Sequence, residues 1–258
     1  MGQYYQSSRN LFNPKSKDPY ILSRSRFEFF GECPRCFYMS CRFGLGRPSM
    51  PTFTLNNAVD TLLKNEFDLL RKAGESHELM KQYHIDAIPS KHPDLPKWRG
   101  ETPETKYKGA MSIHKETNFL LTGMVDDIWE SGSGEMIIVD YKTTSTTKEI
   151  SLEDEYKQSY KRQMEFYQHL FRLLGFNVCN TGYFVFANAT KTREKFDGKL
   201  EFDMSIVTHT GDDSWIDEKL TLAKECLMSD KIPNPSENCE FCEYRKRMVQ
   251  TVSATIKK

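Results

Sequence analysis

Two C-x-x-C pairs stand near opposite ends of the chain: Cys33 and Cys36 in "ECPRCF", Cys239 and Cys242 in "NCEFCE". Each pair is a bidentate thiolate chelate, and two such pairs complete one four-coordinate sulfur site. Any fold built on that site has to bring its two ends together. Four unrelated reduced cysteines are the alternative reading. The total of seven cysteines is odd, which speaks against a disulfide framework, and their grouping suggests metal ligation in a reducing compartment. Cys179 and Cys226 read as packing residues and Cys41 as a spare thiol.

A length of 258 residues suffices for one large domain or two small ones, either with a sizeable core. One domain over residues 21–258 is expected, preceded by a polar, loosely ordered segment, 1–20, with turns at Pro14 and Pro19. Acidic and basic residues balance at 36 each, so net charge points neither to nucleic acid nor to membrane. The distribution is uneven. Residues 1–50 hold eight Lys/Arg against three Asp/Glu, and residues 243–258 hold five against one. Basic ends around an acidic middle suit a protein that touches phosphates beside a metal site, and with the ends joined they would place Arg35, Arg42, Arg245 and Arg247 on a phosphate-facing surface. No apolar run approaches the roughly 20 residues of a membrane span, and "MGQYYQSSRN" lacks the apolar core of a signal peptide. A cytoplasmic protein is expected.

Ser23 or Ser25 is placed to cap a short helix leading into the first cysteine pair. A longer helix is expected in "TLNNAVDTLLKNEFDLLRKAG", with Leu55, Ala58, Val59, Leu62, Leu63, Phe67 and Leu70 as its apolar stripe and Gly74 as its stop. Residues 86–117 carry Pro89, Pro93, Pro96 and Pro103 and read as a loop, either bordering a site or wrapping the core with Trp98 as a plug. Two strands follow, "TNFLLTGMVDDIWE" and "EMIIVDYKTT", joined by a turn at Ser131 to Gly134. Then come a helix from about Tyr156 to Leu174, strands in "TGYFVFAN" and "KLEFDMSIVTH", and a last helix capped by Ser214 with Asp217 in the capping-box place. This order predicts an α/β or α+β fold, a mixed central sheet flanked by helices.

The two central strands set charge where core belongs. Alternation puts Asp140 and Lys142 on one face with Met136 and Ile138, and Asp126 on a face with Met124 and Ile128. Uncompensated carboxylates on a buried face cost several kcal/mol, so the sequence must supply cations. Lys142 is one. A divalent metal is the natural second, since Asp oxygens are hard donors suited to Mg²⁺ or Mn²⁺. A buried Asp–Lys pair without chemistry is the other reading. Asp127, on the opposite face from Asp126, reads as a surface or supporting residue. Gln163 and Tyr167 share one helical face, where an amide and a phenol can line a cleft.

Gly123 to Asp126 as G-x-x-D, Asp140-Tyr141-Lys142 as D-x-K and Gln163 to Tyr167 as Q-x-x-x-Y follow in an order and spacing that resembles the PD-(D/E)XK nuclease superfamily, in particular its RecB-like branch with the AddB and CRISPR-associated RecB-type nucleases. The resemblance implies a restriction-endonuclease-like core, a metal held by Asp126, Asp140 and the backbone carbonyl of Tyr141, and a Lys142 that assists the attacking water. Where the family usually carries a histidine in the preceding helix, this chain has Asp60, whose carboxylate can ligate Mg²⁺ as a harder donor. Asp60 as a solvated residue at the edge of the stripe, with Glu66 as ligand in its place, is the alternative. RecB-like nucleases of the iron–sulfur type use one N-terminal and three C-terminal cysteines. Here the pattern is two and two, with Met248 where a last cysteine would fall. That leaves a [4Fe–4S] cluster and Zn²⁺ both open, the resemblance favouring the cluster as the staple between chain ends.

Together these features lead to the expectation of a metal-dependent nuclease on single-stranded or end-containing DNA, an exonuclease serving repair, recombination or defence, with a helicase or other repair and defence proteins as partners and no membrane. A module that binds nucleic acid without cutting it, or a structural subunit of a helicase–nuclease or CRISPR adaptation complex, is the alternative. The retained Asp126, Asp140 and Lys142 argue against an inactive copy.

Overall fold

The computed structural model describes residues 7–48 and 53–256. In chain order its elements are β1 (Tyr20–Ser23), α1 (Arg24–Glu32), α2 (Pro34–Phe43), α3 (Thr54–Ala73), α4 (Glu78–Gln82), β2 (Ala87–Pro89), α5 (Leu95–Trp98), β3 (Ala110–His114), β4 (Phe119–Gly123), β5 (Asp127–Ser131), β6 (Met136–Thr144), a 3-10 turn (Glu155–Lys157), α6 (Gln158–Leu173), β7 (Thr181–Ala189), β8 (Phe202–Thr210), α7 (Ile216–Met228) and α8 (Glu240–Ile256). They divide into two compact units. One comprises residues 53–112 and 122–214, the other residues 7–48, 113–121 and 215–256.

The first of these units is a mixed sheet flanked by helices. Its five strands run in the order β2-β5-β6-β7-β8, with every pair antiparallel except β6 and β7. Those two are parallel because α6 carries the chain from one to the other. Pleating splits β6 cleanly. Ile137, Val139 and Tyr141 join Val59, Leu63 and Phe67 of α3, together with Trp129, Val185 and Ile206, in one buried cluster. The alternate residues Ile138 and Asp140 turn to the face covered by α6, where the Tyr160 ring lies 6.2 Å from Phe184. The α3 stripe is narrower than the sequence suggests: Leu55 and Leu62 are exposed, and only Val59, Leu63 and Phe67 are buried.

The strand expected over residues 117–130 is two strands. β4 ends at Gly123 and β5 begins at Asp127, in different sheets; a three-stranded sheet has the order β1-β4-β3. The segment expected to be a loop contains β2, α5 and β3, and its Trp98 is buried, stacking on His92 and meeting Phe171 and Phe176 edge-on. The hairpin between β5 and β6 turns where expected, with Ser131 N–H donating to the Glu135 carbonyl and Gly134 at a φ of 79°.

The other unit is mainly helical. Ser23 caps α1 by accepting from the Arg26 N–H, and α2 opens on Pro34 and closes on Gly44 in the left-handed region. Phe27 stacks on Trp215, and Phe12, Tyr20 and Phe119 meet edge-on. α7 begins at Ile216 after Trp215 without a side-chain cap, so Ser214 does not serve as its cap; the Ser214 N–H instead donates to Asp212. α8, a mostly exposed helix, was not foreseen.

Candidate functional site

The break between β4 and β5 leaves Asp126 off the regular strand, and its carboxylate reaches the backbone of the D-x-K element on β6 directly. Asp126 Oδ2 accepts from the Tyr141 N–H at 2.9 Å. Asp140 follows on the α6 face of β6, buried, forming an ion pair with Lys142 and accepting from the Gln163 amide at 2.8 Å. That amide also lies 3.4 Å from the Tyr167 hydroxyl. The two motifs on α6 and β6 are thus one hydrogen-bonded group. Burial alone would lower the pKa of Lys142; Asp140 first, then Asp126, more than offset it and hold the ammonium above its ordinary value. Lys142 further faces the Tyr160 ring at 4.7 Å.

Gly123 earns its place in G-x-x-D sterically. A Cβ there would lie 2.6 Å from the edge of the Tyr167 ring. The glycine of the first motif and the tyrosine of the third therefore pack against each other, a contact that sequence spacing does not reveal.

On α3, Asp60 stands next to Asp126, with Lys64 between them: its ammonium is 2.9 Å from Asp60 and 3.5 Å from Asp126. Burial and then the Asp126 charge push the Asp60 carboxyl above its usual range. Glu66, the alternative ligand, is instead paired with His77 at 2.8 Å. Among the described residues Asp60, Asp126 and Asp140 do not converge as tightly as the cysteines do. The donor set still fits a hard divalent cation: all three are carboxylates, and the charge of Asp126 bears on Asp60.

Asp127 is no surface residue, and its place agrees with the other reading, a supporting one. It is fully buried and surrounded by donors: Arg71 at 2.5 Å, Arg99 at 3.0 Å, the Tyr141 hydroxyl at 2.8 Å and its neighbour's N–H at 2.8 Å. Arg99, from the proline-rich segment, escaped sequence reasoning altogether. A lone arginine after a tryptophan carries no periodic or motif signal.

In the other unit the four cysteines meet as expected. Their sulfurs all lie within 4.8 Å of one another, with Cys33 to Cys242 at 3.8 Å, Cys36 to Cys239 at 3.6 Å and Cys36 to Cys242 at 3.7 Å. These separations are far longer than a disulfide bond. Cys33, Cys36 and Cys239 are buried, and Phe241 and Cys242 complete their small core. Burial would raise the Cys33 thiol, but backbone N–H groups of Cys36 and Ser236 and the neighbouring thiols bring it down to about 7. Burial and neighbouring thiols push Cys242 up. Four thiols this close cannot all ionise unless a cation joins them, and the arrangement can hold a metal. The Arg47 guanidinium sits between the rings of Phe29 and Phe241, at 4.6 and 4.7 Å. Half of the expected basic surface is spent within the fold, Arg35 donating to the Pro233 carbonyl and Arg42 to Leu227; Arg245, which donates to Gly46, and Arg247, which pairs with Glu243, make their bonds at the surface.

Residues 21–247 match the model of the PD-(D/E)XK nuclease superfamily, and the chain belongs to it. Members are usually nucleases and use divalent metals. No curated protein matches the chain. Among solved structures, the crystal structure of SSO0001 aligns with 88% of this chain and 84% of its own at 14% identity and a TM-score of 0.38, too slight a likeness to carry argument. No helix among the described residues is long and apolar enough to cross a membrane.

Proposed function

We propose that this chain is a Mg²⁺- or Mn²⁺-dependent nuclease of the RecB-like branch that hydrolyses DNA phosphodiester bonds, with residues 21–258 working as one nuclease domain. The observation that carries the reading is the buried Asp140–Lys142 pair beside Asp126, in a chain whose family cuts nucleic acid. Asp126, Asp140 and the Tyr141 carbonyl would hold the metal, with Asp60 as a further ligand. When bound, the ion would lower the pKa of a ligated water and neutralise charge on the scissile phosphate.

The protein's own groups do the rest. Lys142, kept protonated by two carboxylates, neutralises charge that develops on the phosphate as the water oxygen bonds to phosphorus and the ester oxygen leaves with a proton. Gln163 fixes the rotamer of Asp140, and the Tyr141 N–H fixes that of Asp126. The substrate class we favour is single-stranded or end-containing DNA, cut from an end, in repair, recombination or defence alongside a helicase.

The cysteine centre we infer to be a single zinc ion, against the cluster that resemblance alone favours. Tetrahedral Zn²⁺ with bonds of about 2.3 Å sets its sulfurs about 3.8 Å apart. Three of the six sulfur separations are 3.6–3.8 Å and all lie within 4.8 Å, which supports one ion. A [4Fe–4S] cluster interposes irons and sulfides between the thiolates and needs them much farther apart.

The deciding experiment incubates purified protein with end-labelled single-stranded DNA, duplex DNA and RNA, each with Mg²⁺, Mn²⁺ or EDTA. Cleavage of DNA that EDTA abolishes is the expected result, and Asp140→Asn and Lys142→Ala each reduce it about 100-fold or more. Wild-type turnover in either variant overturns the site assignment. Colourless protein with one zinc per chain is expected from metal analysis; brown protein carrying iron and sulfide reverses the zinc reading.

A further inference from the structure

We propose that Arg99 is the positioning residue of the metal site, fixing the Asp126 main chain and, through Asp127, the Tyr141 ring, so that the G-x-x-D and D-x-K elements are held in register. The proposal rests on the nuclease reading above and adds to it a residue that belongs to none of the motifs.

Arg99 spends its whole guanidinium on three targets. Nε donates to the Asp126 carbonyl at 2.9 Å, one terminal nitrogen to Asp127 at 3.0 Å, and the other to both oxygens of Asp68 at 3.0 and 3.1 Å. Its side chain is 3% exposed. Asp127 passes the constraint on, since its second oxygen accepts from the Tyr141 hydroxyl, while the Tyr141 N–H holds the Asp126 carboxylate. The result is a closed circuit: Arg99 to the Asp126 backbone, Asp126 side chain to Tyr141 backbone, Tyr141 side chain to Asp127, Asp127 to Arg99. The circuit surrounds the place where β5 starts and where regular ladder bonds no longer hold Asp126. The Trp98 carbonyl adds a bond from the Val125 N–H at 3.3 Å, so two successive residues of the proline-rich segment grip the chain just before β5.

Arg71 supplies an internal comparison. It meets the same two acids, Asp127 at 2.5 Å and Asp68 at 3.1 Å, yet its remaining bond goes to the Ser90 carbonyl rather than to Asp126. A merely structural role for the network makes the two arginines equivalent. A positioning role makes only Arg99 matter to the metal. Lysine keeps the charge at either position but loses the planar fork that serves several acceptors at once.

The test measures Mn²⁺ binding by the paramagnetic resonance of free Mn²⁺, together with thermal melting and, where cleavage is present, kcat and KM for end-labelled DNA. Arg99→Lys and Arg71→Lys should lower the melting temperature by similar amounts. Arg99→Lys should weaken Mn²⁺ binding at least tenfold and lower kcat with KM for DNA unchanged; Arg71→Lys should alter Mn²⁺ binding less than twofold. Equal effects of the two substitutions on Mn²⁺ overturn the proposal. Should Arg99→Lys not fold, Tyr141→Phe breaks the same circuit with little change of shape, and unchanged Mn²⁺ affinity there overturns it as well. Wild-type protein that binds Mn²⁺ but cuts nothing sinks the nuclease reading alone, whereas wild-type protein that binds no Mn²⁺ sinks both.

Discussion

Asp140 shows what a buried carboxylate costs a fold. It is buried on the α6 face of β6, and Lys142 with Gln163 supplies the compensation. Removing one member of such a pair leaves a buried charge exposed to apolar surroundings, at roughly 3 kcal/mol. Lys142→Ala should therefore lose stability as well as turnover, whereas Asp140→Asn combined with Lys142→Met should melt closer to wild type; denaturant unfolding of the three variants checks this. Gly123 gives a second prediction at the same scale. Its Cβ position lies 2.6 Å from Tyr167, so Gly123→Ala should cost about 1–3 kcal/mol through overpacking. In a Tyr167→Ala background the same substitution should cost much less, and an equal cost in both would separate the glycine from the ring.

The elements divide by what local sequence can reveal. α6, β6 and β7 were legible because their apolar residues repeat at the right period over many residues. The cysteine pairs were legible because chelation demands that spacing. β1, β2 and β3 are short; β1 and β2 each exist because they find a partner far along the chain, which no local pattern announces, while β3 pairs with β4 just after it at the end of a stretch whose prolines read as loop. The break at Met124–Asp126 was hidden for a related reason: apolar residues run through it, and only the change of sheet divides them. α3 misled in the opposite way. Leu55 and Leu62 have helical spacing but sit toward solvent, Leu62 one step around the helix from Leu63 and Leu55 in the exposed first turn. That same helix carries Asp60, whose candidate role came from a family comparison rather than from its stripe. If α3 supplies a ligand, Asp60→Ala should move the Mn²⁺ activation curve to higher concentration. Asp60→His should recover part of the loss, more with Mn²⁺ than with Mg²⁺, because imidazole nitrogen suits the softer ion. An unmoved curve for Asp60→Ala leaves Asp60 as no more than the partner of Lys64.

At the scale of the molecule, the sulfur centre closes the longest loop that the chain's cysteines can offer. Cys33 and Cys242 are 209 positions apart, yet their sulfurs are 3.8 Å from each other. In the chain-entropy description of cross-links, closing a loop of about 200 residues stabilises the folded state by about 5 kcal/mol, and a metal bound there would add its own binding energy. For a chain of this size each kcal/mol moves the melting temperature by about 2–4 °C. Stripping the metal with a strong chelator should then lower the transition by about 10 °C or more, and stoichiometric Zn²⁺ should restore it. Cys239→Ser should reproduce the loss and make the protein insensitive to chelator. Arg47 provides a milder perturbation, since it bonds to the Cys36 thiol and lies against Phe29 and Phe241 without itself supplying a sulfur. Arg47→Lys should keep full zinc content and chelator sensitivity. A wild type that holds no metal and melts identically with and without chelator would leave the cysteines as four reduced thiols in a small core, and the joining of the chain ends would then rest on packing alone.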